Sequence, residues 1–266
     1  MEELTYRDGS YMTLPHRVSF MSRVAPSIVF YLKDLHVVFS ASARAKRSRY
    51  DRAAWAGSSL AVLRALESVG VIIEIAGIDH FRTIDGPAVF ISNHMSTLET
   101  FVLPCLIAPF RDVTFVVKKS LIDYPVFRHV MRSRDPVTVG RTNPREDLRT
   151  VLEGGAERLK AGMSLIIFPQ TTRSAEFDPA GFNTIGVKLA KKENVPIIPV
   201  ALKTDAWGNG RVLKDFGKID PSKKVHFAFG EPLRVRDRGA EEHQRVIEFI
   251  IDRLRKWNRE GISHQN

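Results

Sequence analysis

The stretch SNHMSTLE, residues 92–99, places an imidazole, a hydroxyl and a carboxylate directly after the apolar run AVFI. His94 and Glu99 are five residues apart, so one continuous helix would not put them on the same face. They can meet if His94 stays in a turn and a helix starts near Ser96, because the first turn then brings Glu99 back. Glu99 would fix one ring nitrogen of His94 and leave the other to deprotonate a hydroxyl.

The same octapeptide also has a purely structural interpretation. Ser96 and Glu99 have the spacing of a capping box, in which a serine and a glutamate satisfy free backbone N–H groups at the start of a helix. Helix-start chemistry would explain both residues without catalysis. The octapeptide alone therefore leaves both interpretations open.

Short apolar runs bounded by Gly, Pro, Asn or Asp follow from residue 71 onward and have the length of buried strands. They are VIIEIAG, AVFIS, VTFVVKK, VTVG, SLIIFP, VPIIPVAL and KVHFAFG. Helical patterns lie between many of them, and the clearest has Asn143 as its cap, Pro144 in the first turn and Glu146 three residues after the cap. This alternation predicts an α/β fold with a mostly parallel sheet and helices on both faces.

Ligands bind such sheets at the carboxyl ends of the strands. Polar and basic groups cluster at four of these ends: AVFI leads into SNHMSTLE, VTFVV into KKSL, VTV into GRTN, and SLIIF into PQTTRS. The convergence of four polar strand ends predicts a site at one edge of the sheet.

NHMSTLE resembles the NHxSxxD block of the PlsC-type glycerolipid acyltransferases, with Glu99 in the acidic position. The other blocks follow in the family's order as KKSLIDYPVF, VTVGRTN, FPQTTRS and VPIIPVAL, so the resemblance runs from about Val71 to about Pro232. It implies a glycerolipid acyltransferase-like αβα sandwich. It also implies transfer of a fatty acyl chain from acyl-CoA or acyl carrier protein to the free hydroxyl of a lysophospholipid, foremost lysophosphatidic acid, to give phosphatidic acid.

By this resemblance, His94 is the general base and Glu99 its orienting carboxylate. Three cations that each follow a predicted strand are expected to bind the acceptor phosphate: Lys118, Arg141 and Arg173. Further motif residues are expected to support the loops: Asn93, Ser96, Phe168, Pro169, Gln170, Thr171 and Thr172.

Three positions depart from the family pattern. Gln170 replaces the usual glutamate, Thr171 the usual glycine, and Asn183 a lysine that many relatives carry. These departures leave the acceptor open, so another lysophospholipid or a lyso-aminolipid is the alternative substrate.

The 266 residues carry a formal net charge of +10 and one cysteine, Cys105. The charge favours polyanionic partners, and scattered basic residues without an aromatic RNA signature favour anionic lipid over nucleic acid. One cysteine excludes an internal disulfide, and the apolar stretch around Cys105 predicts a buried thiol. Histidine spacing indicates no zinc site, so no metal or cofactor is expected beyond the acyl thioester co-substrate. A non-catalytic lipid- or nucleic-acid-binding protein is the second alternative.

Residues 16–69 have helical periodicity with two apolar sets on either side of the basic segment ARAKRSRYDR. The first set is Ile28, Tyr31, Leu32, Leu35 and Phe39, and the second is Trp55, Leu60, Leu63 and Leu66. The alternatives are a solvated basic face packed on the main domain and an interfacial helix pair on an anionic membrane.

No apolar run reaches the ~20 residues that span a bilayer, and no cleavable signal is visible. Because a lysophospholipid acceptor lies in a membrane, we favour the interfacial interpretation. We therefore predict a membrane-docking helical region over residues 1–69 and an acyltransferase α/β domain over residues 70–266. The protein is expected to be peripheral, at the cytoplasmic face of a bacterial-type inner membrane.

Overall fold

The structure is a computed structural model that describes residues 3–170, 172–210 and 213–263. Its strands are β1 (Tyr11–Met12), β2 (Ile73–Ala76), β3 (Val89–Ser92), β4 (Val113–Lys118), β5 (Val137–Val139), β6 (Ser164–Ile167), β7 (Ile197–Lys203) and β8 (Val225–Phe229). They form an eight-stranded sheet in the order β1-β2-β8-β7-β3-β6-β4-β5. The β1–β2 and β7–β8 pairs are antiparallel, and the other neighbours run parallel. The predicted mostly parallel sheet is confirmed, and every predicted apolar run contains a strand.

Strand β1 was not predicted. It has two residues, Tyr11 and Met12, which pair with Ile75 and Glu74 on the edge strand β2. A strand this short shows no alternating pattern in the sequence, so only its partner reveals it.

Helices cover both faces of the sheet. They are α1 (Phe20–Val24), α2 (Pro26–Lys46), α3 (Arg52–Ser68), α4 (Asp79–Arg82), α5 (Leu98–Ile107), α6 (Phe127–Ser133), α7 (Pro144–Lys160), α8 (Ile185–Glu193) and α9 (Ala240–Ser263), with a 3₁₀ helix at Lys119–Ile122. The predicted cap of α7 is present, since the Asn143 side chain accepts the backbone N–H groups of Arg145 and Glu146.

Two hydrophobic clusters fill the space between helices and sheet. Strand residues alternate between them because successive side chains of a strand point to opposite faces. Phe90 packs in the cluster under α3 and α5, whereas Val89 and Ile91 pack in the cluster under α7, α8 and α9. Both faces of the central strands are therefore buried, as their nearly continuous apolar sequences require.

The N-terminal helices differ in where their apolar residues lie. Trp55, Leu60, Leu63 and Leu66 of α3 are buried in the cluster that also contains sheet residues. This second apolar set belongs to the protein core, so the expectation that it forms part of a membrane-facing helix pair is wrong. It is needed there because the central strands would otherwise leave one face uncovered.

Helices α1 and α2 instead expose apolar side chains. The exposed apolar row consists of Phe20, Met21, Val24, Ile28, Leu32, Leu35 and Phe39. The last four recur at i, i+4, i+7 and i+11, which places them along one face of α2. The opposite face of α2, with Phe30 and Val38, is buried. No helix in the described ranges combines the length and the apolar character needed to cross a bilayer.

Candidate active site

His94 and Glu99 meet directly where β3 ends and α5 begins. The Nδ1 atom of His94 lies 2.9 Å from Oε1 of Glu99, whose side chain is fully buried. The same Oε1 accepts the backbone N–H groups of Met95 at 2.6 Å and Ser96 at 2.8 Å. Oε2 accepts the hydroxyls of Ser96 at 3.0 Å and Thr204 at 2.6 Å. Both oxygens of this carboxylate are thus surrounded by donors.

These donors determine the ionisation of Glu99. Burial by itself would raise the pKa of Glu99, but the hydrogen bond and charge of His94 lower it, as do the bonds from Thr204 and the Ser96 backbone. The net pKa of Glu99 is below its ordinary value, so the group is a carboxylate at neutral pH.

An ionised carboxylate can only accept hydrogen bonds, so Nδ1 of His94 must carry the proton. Nε2 of a neutral ring then has a free lone pair. Among the described residues Nε2 has no hydrogen-bond partner, and 13% of the side chain remains exposed. The arrangement therefore presents a base to the outside of the sheet edge.

The capping interpretation of this segment holds in part. Helix α5 begins at Leu98, whose N–H donates to Oγ of Ser96 at 3.1 Å. Glu99 accepts the N–H of Ser96 as in a capping box, but the Ser96 hydroxyl accepts from Leu98 and not from the N–H of Glu99, so the motif is only half formed. One carboxylate therefore serves the helix start and the histidine together, and the two interpretations are compatible.

Parallel pairing of β3 with β6 sets the position of His94. Ile91 lies opposite Ile167, an offset of 76 residues, and the same offset continues beyond the strands. The N–H of His94 donates to Oε1 of Gln170 at 2.8 Å, which keeps this offset. Outside this offset, the N–H of Ser174 donates to the carbonyl of His94 at 3.0 Å. Gln170 is here a hydrogen-bond acceptor for a backbone amide, a task that the usual glutamate would perform equally well.

The imidazole ring is supported from one side. Phe168 stacks on it with ring centroids 4.3 Å apart and an interplanar angle of 16°. Phe115 follows behind Phe168 at 6.1 Å and 18°. Stacked aromatic rings restrict the rotation of His94 and contribute dispersion energy.

The remaining motif residues have varied positions. Asn93 pairs through its side-chain amide with both backbone groups of Leu202 on β7, at 2.8 and 2.9 Å. Pro169 is buried and its carbonyl accepts a hydrogen bond from Asn183. Thr172 is exposed, and Thr171 lies outside the described residues. Oδ1 of Asn183, the third departure, also accepts the N–H of Ile185, the first residue of α8, at 3.0 Å.

The three predicted cations lie at the ends of β4, β5 and β6. Lys118 is exposed and lies opposite Val139 in the β4–β5 register, two residues before Arg141. Partial desolvation lowers the pKa of Arg141, and the positive charge of Arg173 lowers it further, against the opposing effect of Asp147. Arg141 and Arg173 are therefore within electrostatic reach of each other.

Arg141 adopts a left-handed backbone with φ of 59°. The Asp147 carboxylate stabilises this conformation by accepting the N–H groups of Gly140 at 2.9 Å and Arg141 at 3.2 Å. A non-glycine residue with positive φ costs conformational free energy, and such strain is common at functional sites.

Sequence reasoning missed Thr204. It is fully buried, its hydroxyl donates to Glu99, and its Oγ1 lies 3.0 Å from Oγ of Ser96. The available signal was the polar end of β7, which follows VPIIPVAL at the same edge of the sheet as the other four ends. Cys105 is buried as expected, and burial raises the pKa of its thiol to about 12. In the part of the chain that the structure describes, no group of three or more His, Cys, Asp or Glu residues could hold a metal ion.

Comparisons with known proteins agree with this geometry. A family model described as Acyltransferase matches residues 72–203. The 1-acyl-sn-glycerol-3-phosphate acyltransferase of Pseudomonas aeruginosa is 30% identical over 132 residues, which are 50% of this chain and 49% of that enzyme. The enzyme of the same name from Cocos nucifera is 32% identical over 165 residues, 61% of this chain and 51% of its own. The chain thus spans about half the length of the curated relatives it matches.

A solved structure has the same fold. PlsC from Thermotoga maritima, a 1-acyl-sn-glycerophosphate (LPA) acyltransferase, superimposes with a TM-score of 0.65 and 21% identity, over 89% of this chain and 96% of that one. At this identity the likeness concerns the fold, while the sequence match covers the motif blocks. Residues 72–203 of the chain therefore form a domain of the Acyltransferase family.

Proposed function

We propose that the protein transfers a fatty acyl chain from an acyl-CoA or acyl-carrier-protein thioester to the free hydroxyl of lysophosphatidic acid, giving phosphatidic acid. The observation that carries this proposal is the ionised, buried Glu99 that holds the proton on Nδ1 of His94 and leaves Nε2 as a base. The family relationship and the names of the relatives support the same reaction.

The proposed reaction is direct transfer. Nε2 of His94 accepts the proton of the acceptor hydroxyl while the hydroxyl oxygen attacks the thioester carbonyl carbon. The new C–O bond gives a tetrahedral intermediate, and its collapse breaks the C–S bond. The imidazolium, stabilised by the Glu99 carboxylate, returns the proton to the leaving thiolate. Direct transfer needs no protein nucleophile. The two candidates are also unsuited to that role, because Cys105 is buried and the Ser96 hydroxyl donates to Glu99.

The cations bind the acceptor phosphate in this proposal. Arg173 and Arg141 would contact phosphate oxygens through their planar guanidinium groups, and Lys118 would add a point charge at the exposed edge. Residue Gln170 has no proton to exchange here, since it accepts from the His94 backbone. It therefore supports the loop and does not take part in proton transfer.

A thiol-release assay with purified protein tests the reaction. Acyl-CoA and acyl carrier protein donors are each combined with lysophosphatidic acid, another lysophospholipid and a lyso-aminolipid, and mass spectrometry identifies the lipid product. The highest kcat/KM is expected with lysophosphatidic acid. A higher kcat/KM with another acceptor would identify that lipid as the preferred substrate. Salt-sensitive DNA binding without thioester consumption would support the non-catalytic alternative.

We also propose that the exposed apolar row of α1 and α2 docks the enzyme on an anionic membrane surface, peripherally and at the cytoplasmic face. Apolar side chains of the row would enter the headgroup boundary. Five exposed basic residues follow at the end of α2 and the start of α3 and would contact anionic headgroups: Arg44, Lys46, Arg47, Arg49 and Arg52. The free buried cysteine suits a reducing compartment.

Surface substitutions test docking, since deletion of residues 16–69 would remove the buried α3. Leu32→Ser and Phe39→Ser are each expected to weaken binding to phosphatidylglycerol-containing vesicles about tenfold. Each variant removes one apolar side chain that would be buried in the membrane on docking. Ile72→Ser is the matched control, since Ile72 is also exposed but lies directly before β2, outside the apolar row of α1 and α2. Equal co-sedimentation of all three variants would contradict the docking role.

A further inference from the structure

A carboxylate outside the family motifs contacts one of the proposed phosphate-binding cations. Asp215 lies in the loop 207–219, whose ends pair through Trp207 and Ile219. Its Oδ1 forms an ion pair with a terminal nitrogen of Arg173 at 2.8 Å. The Arg173 side chain is 19% exposed and that of Asp215 45% exposed, so the pair lies at the rim of the site.

Thr97 completes this contact from the other motif loop. The second terminal nitrogen of Arg173 donates to Oγ1 of Thr97, and the Thr97 hydroxyl donates to Oδ1 of Asp215 at 3.3 Å. The three side chains form a closed ring of polar contacts. Thr97 itself is buried directly before α5, so one side of the ring is anchored in the protein.

This ring leaves part of the guanidinium unused. Thr97 and Asp215 contact each other as well as the two terminal nitrogens, so both lie along the terminal edge of the guanidinium. The Nε–H of Arg173 has no hydrogen-bond partner among the described residues. A guanidinium presents five N–H donors in a fixed fork, and its side edge can bind two oxygens of a phosphate while the terminal edge is occupied.

The described part of this loop around Asp215 is held by hydrogen bonds from neighbouring residues. The indole N–H of Trp207 donates to the backbone carbonyl of Asp215 at 3.2 Å. From α2, the hydroxyl of Tyr31 donates to the carbonyl of Gly217 at 2.5 Å, and Oγ of Ser27 accepts the N–H of Ile219 at 3.0 Å. These contacts hold the loop backbone at Asp215 and in the residues that follow it, independently of Arg173.

We propose that Asp215 is a positioning residue that, together with Thr97, holds the terminal edge of Arg173 so that the side edge faces the acceptor phosphate. This inference rests on the proposed function, because it assigns the phosphate of the acceptor as the ligand of Arg173. Asp215 acts through Arg173 and does not contact the reacting atoms.

Kinetics with lysophosphatidic acid as the varied substrate provide the first test. Asp215→Ala is expected to raise the KM for this acceptor about tenfold while kcat changes less than about twofold, as expected for loss of one charge-assisted hydrogen bond used in binding. Asp215→Asn, which keeps the shape, is expected to show a smaller rise. Asp215→Glu, which keeps the charge, is expected to restore most of the affinity.

Two controls accompany these variants. Asp220→Asn alters a carboxylate at the foot of the same loop, where Asp220 accepts from Ser222 and does not contact Arg173, and its KM is expected to match the wild type. A double-mutant cycle of Asp215→Asn with Thr97→Val is expected to be non-additive, because both residues act on one guanidinium. An unchanged or lowered KM in Asp215→Ala and Asp215→Asn, or a fall in kcat alone, would overturn the proposal.

A spectroscopic measurement separates this inference from the proposed function. With ¹⁵N-labelled arginine, the Nε–H signal of Arg173, assigned through Arg173→Lys, is expected to be sharp in the wild type and broadened in Asp215→Ala. If the wild type shows no acyl transfer but the signal depends on Asp215, only the function is wrong. If the wild type is active and neither the signal nor the KM depends on Asp215, only the positioning role is wrong.

Discussion

Glu99 and Asp34 are both buried carboxylates, but their surroundings give them opposite properties. Glu99 accepts hydrogen bonds from one imidazole, two backbone amides and two hydroxyls, and its pKa is lowered. Asp34, on the inner face of α2, has an Oδ1 atom without a hydrogen-bond partner. Desolvation alone raises the pKa of Asp34 to about 7.

The difference shows that burial does not decide the charge of a carboxyl group. Donors that converge on both oxygens compensate for lost hydration, and without them the neutral acid is favoured. In this molecule the loop after β3, the start of α5 and the end of β7 together supply the donors of Glu99. The core face of α2 supplies no such set for Asp34. Glu99 therefore stays ionised beside His94 because several elements at this edge of the sheet supply its hydrogen-bond donors.

The largest effect is expected from removing His94, the hydrogen-bond partner of Glu99. His94→Ala is expected to lower kcat about 10³-fold, because the acceptor hydroxyl loses its general base. Thiol release under saturating donor measures this effect. Circular dichroism should show a folded protein, with a lower melting temperature because buried Glu99 loses one donor and Phe168 loses its stacking partner. Retained acyl transfer in a folded variant would remove the proposed mechanism.

Glu99→Gln tests the charge with little change in volume. The amide would direct N–H groups toward donors that now point at Glu99, and Nδ1 of His94 would lose its ionic partner. We expect kcat to fall about 10²-fold, with a loss of about 3 kcal/mol in the free energy of unfolding. Rate assays and urea unfolding measure the two effects. A variant with full activity would show that the charge of Glu99 is dispensable.

Thr204→Val removes one donor and keeps the shape of the side chain. Glu99 loses a hydrogen bond at Oε2, and Oγ of Ser96 loses one of its acceptors. Because a hydrogen bond to a charged group contributes about 1.5–3 kcal/mol, we expect roughly that loss of stability and about a tenfold lower kcat. Thr100→Val is the matched control, since the Thr100 hydroxyl bonds only the Thr97 carbonyl at 2.7 Å. Its kcat should not change.

Asp34→Asn tests the other carboxylate through the pH dependence of stability. The folded-state pKa of about 7 lies above the unfolded value of about 4, so the contribution of the protonated carboxyl is complete below about pH 4. That contribution is lost as pH rises through 7, which amounts to at most about 4 kcal/mol at pH 8. The variant should therefore gain stability over the wild type between pH 5 and pH 8.

Melting temperatures of Asp34→Asn and the wild type across this range measure the effect, with acyl transfer as a control that should stay constant. A constant difference in melting temperature from pH 5 to pH 8 would mean that Asp34 is charged in the folded protein. The comparison with Glu99 would then fail.

Much of the fold could be predicted because the central strands are buried on both faces. Their apolar runs are nearly continuous, and the polar residues that follow each run mark the edge where the site lies. Strand β1 and the burial of α3 were not accessible in the same way. Two residues carry no periodicity, and the apolar face of a helix looks the same whether it packs on a sheet or on a membrane.

The site was predictable to the extent that its residues are close in sequence. His94, Ser96 and Glu99 lie within one octapeptide, and the offset of the motif blocks brings Arg173 to them. Thr204 and Asp215 were missed because they reach the site from β7 and from the following loop, more than 100 residues away along the chain. Only tertiary structure brings such residues together, and neither lies in a block with a recognisable pattern.

The offset of 76 residues between β3 and β6 has a consequence for variation among related chains. It joins Ile91 to Ile167 within the strands, His94 to Gln170 just beyond them, and Thr97 to Arg173 at the start of α5. A single inserted or deleted residue in either loop would shift the base relative to the arginine by roughly 3 Å. Natural relatives should therefore vary in length elsewhere, and any length change here should occur in both loops at once.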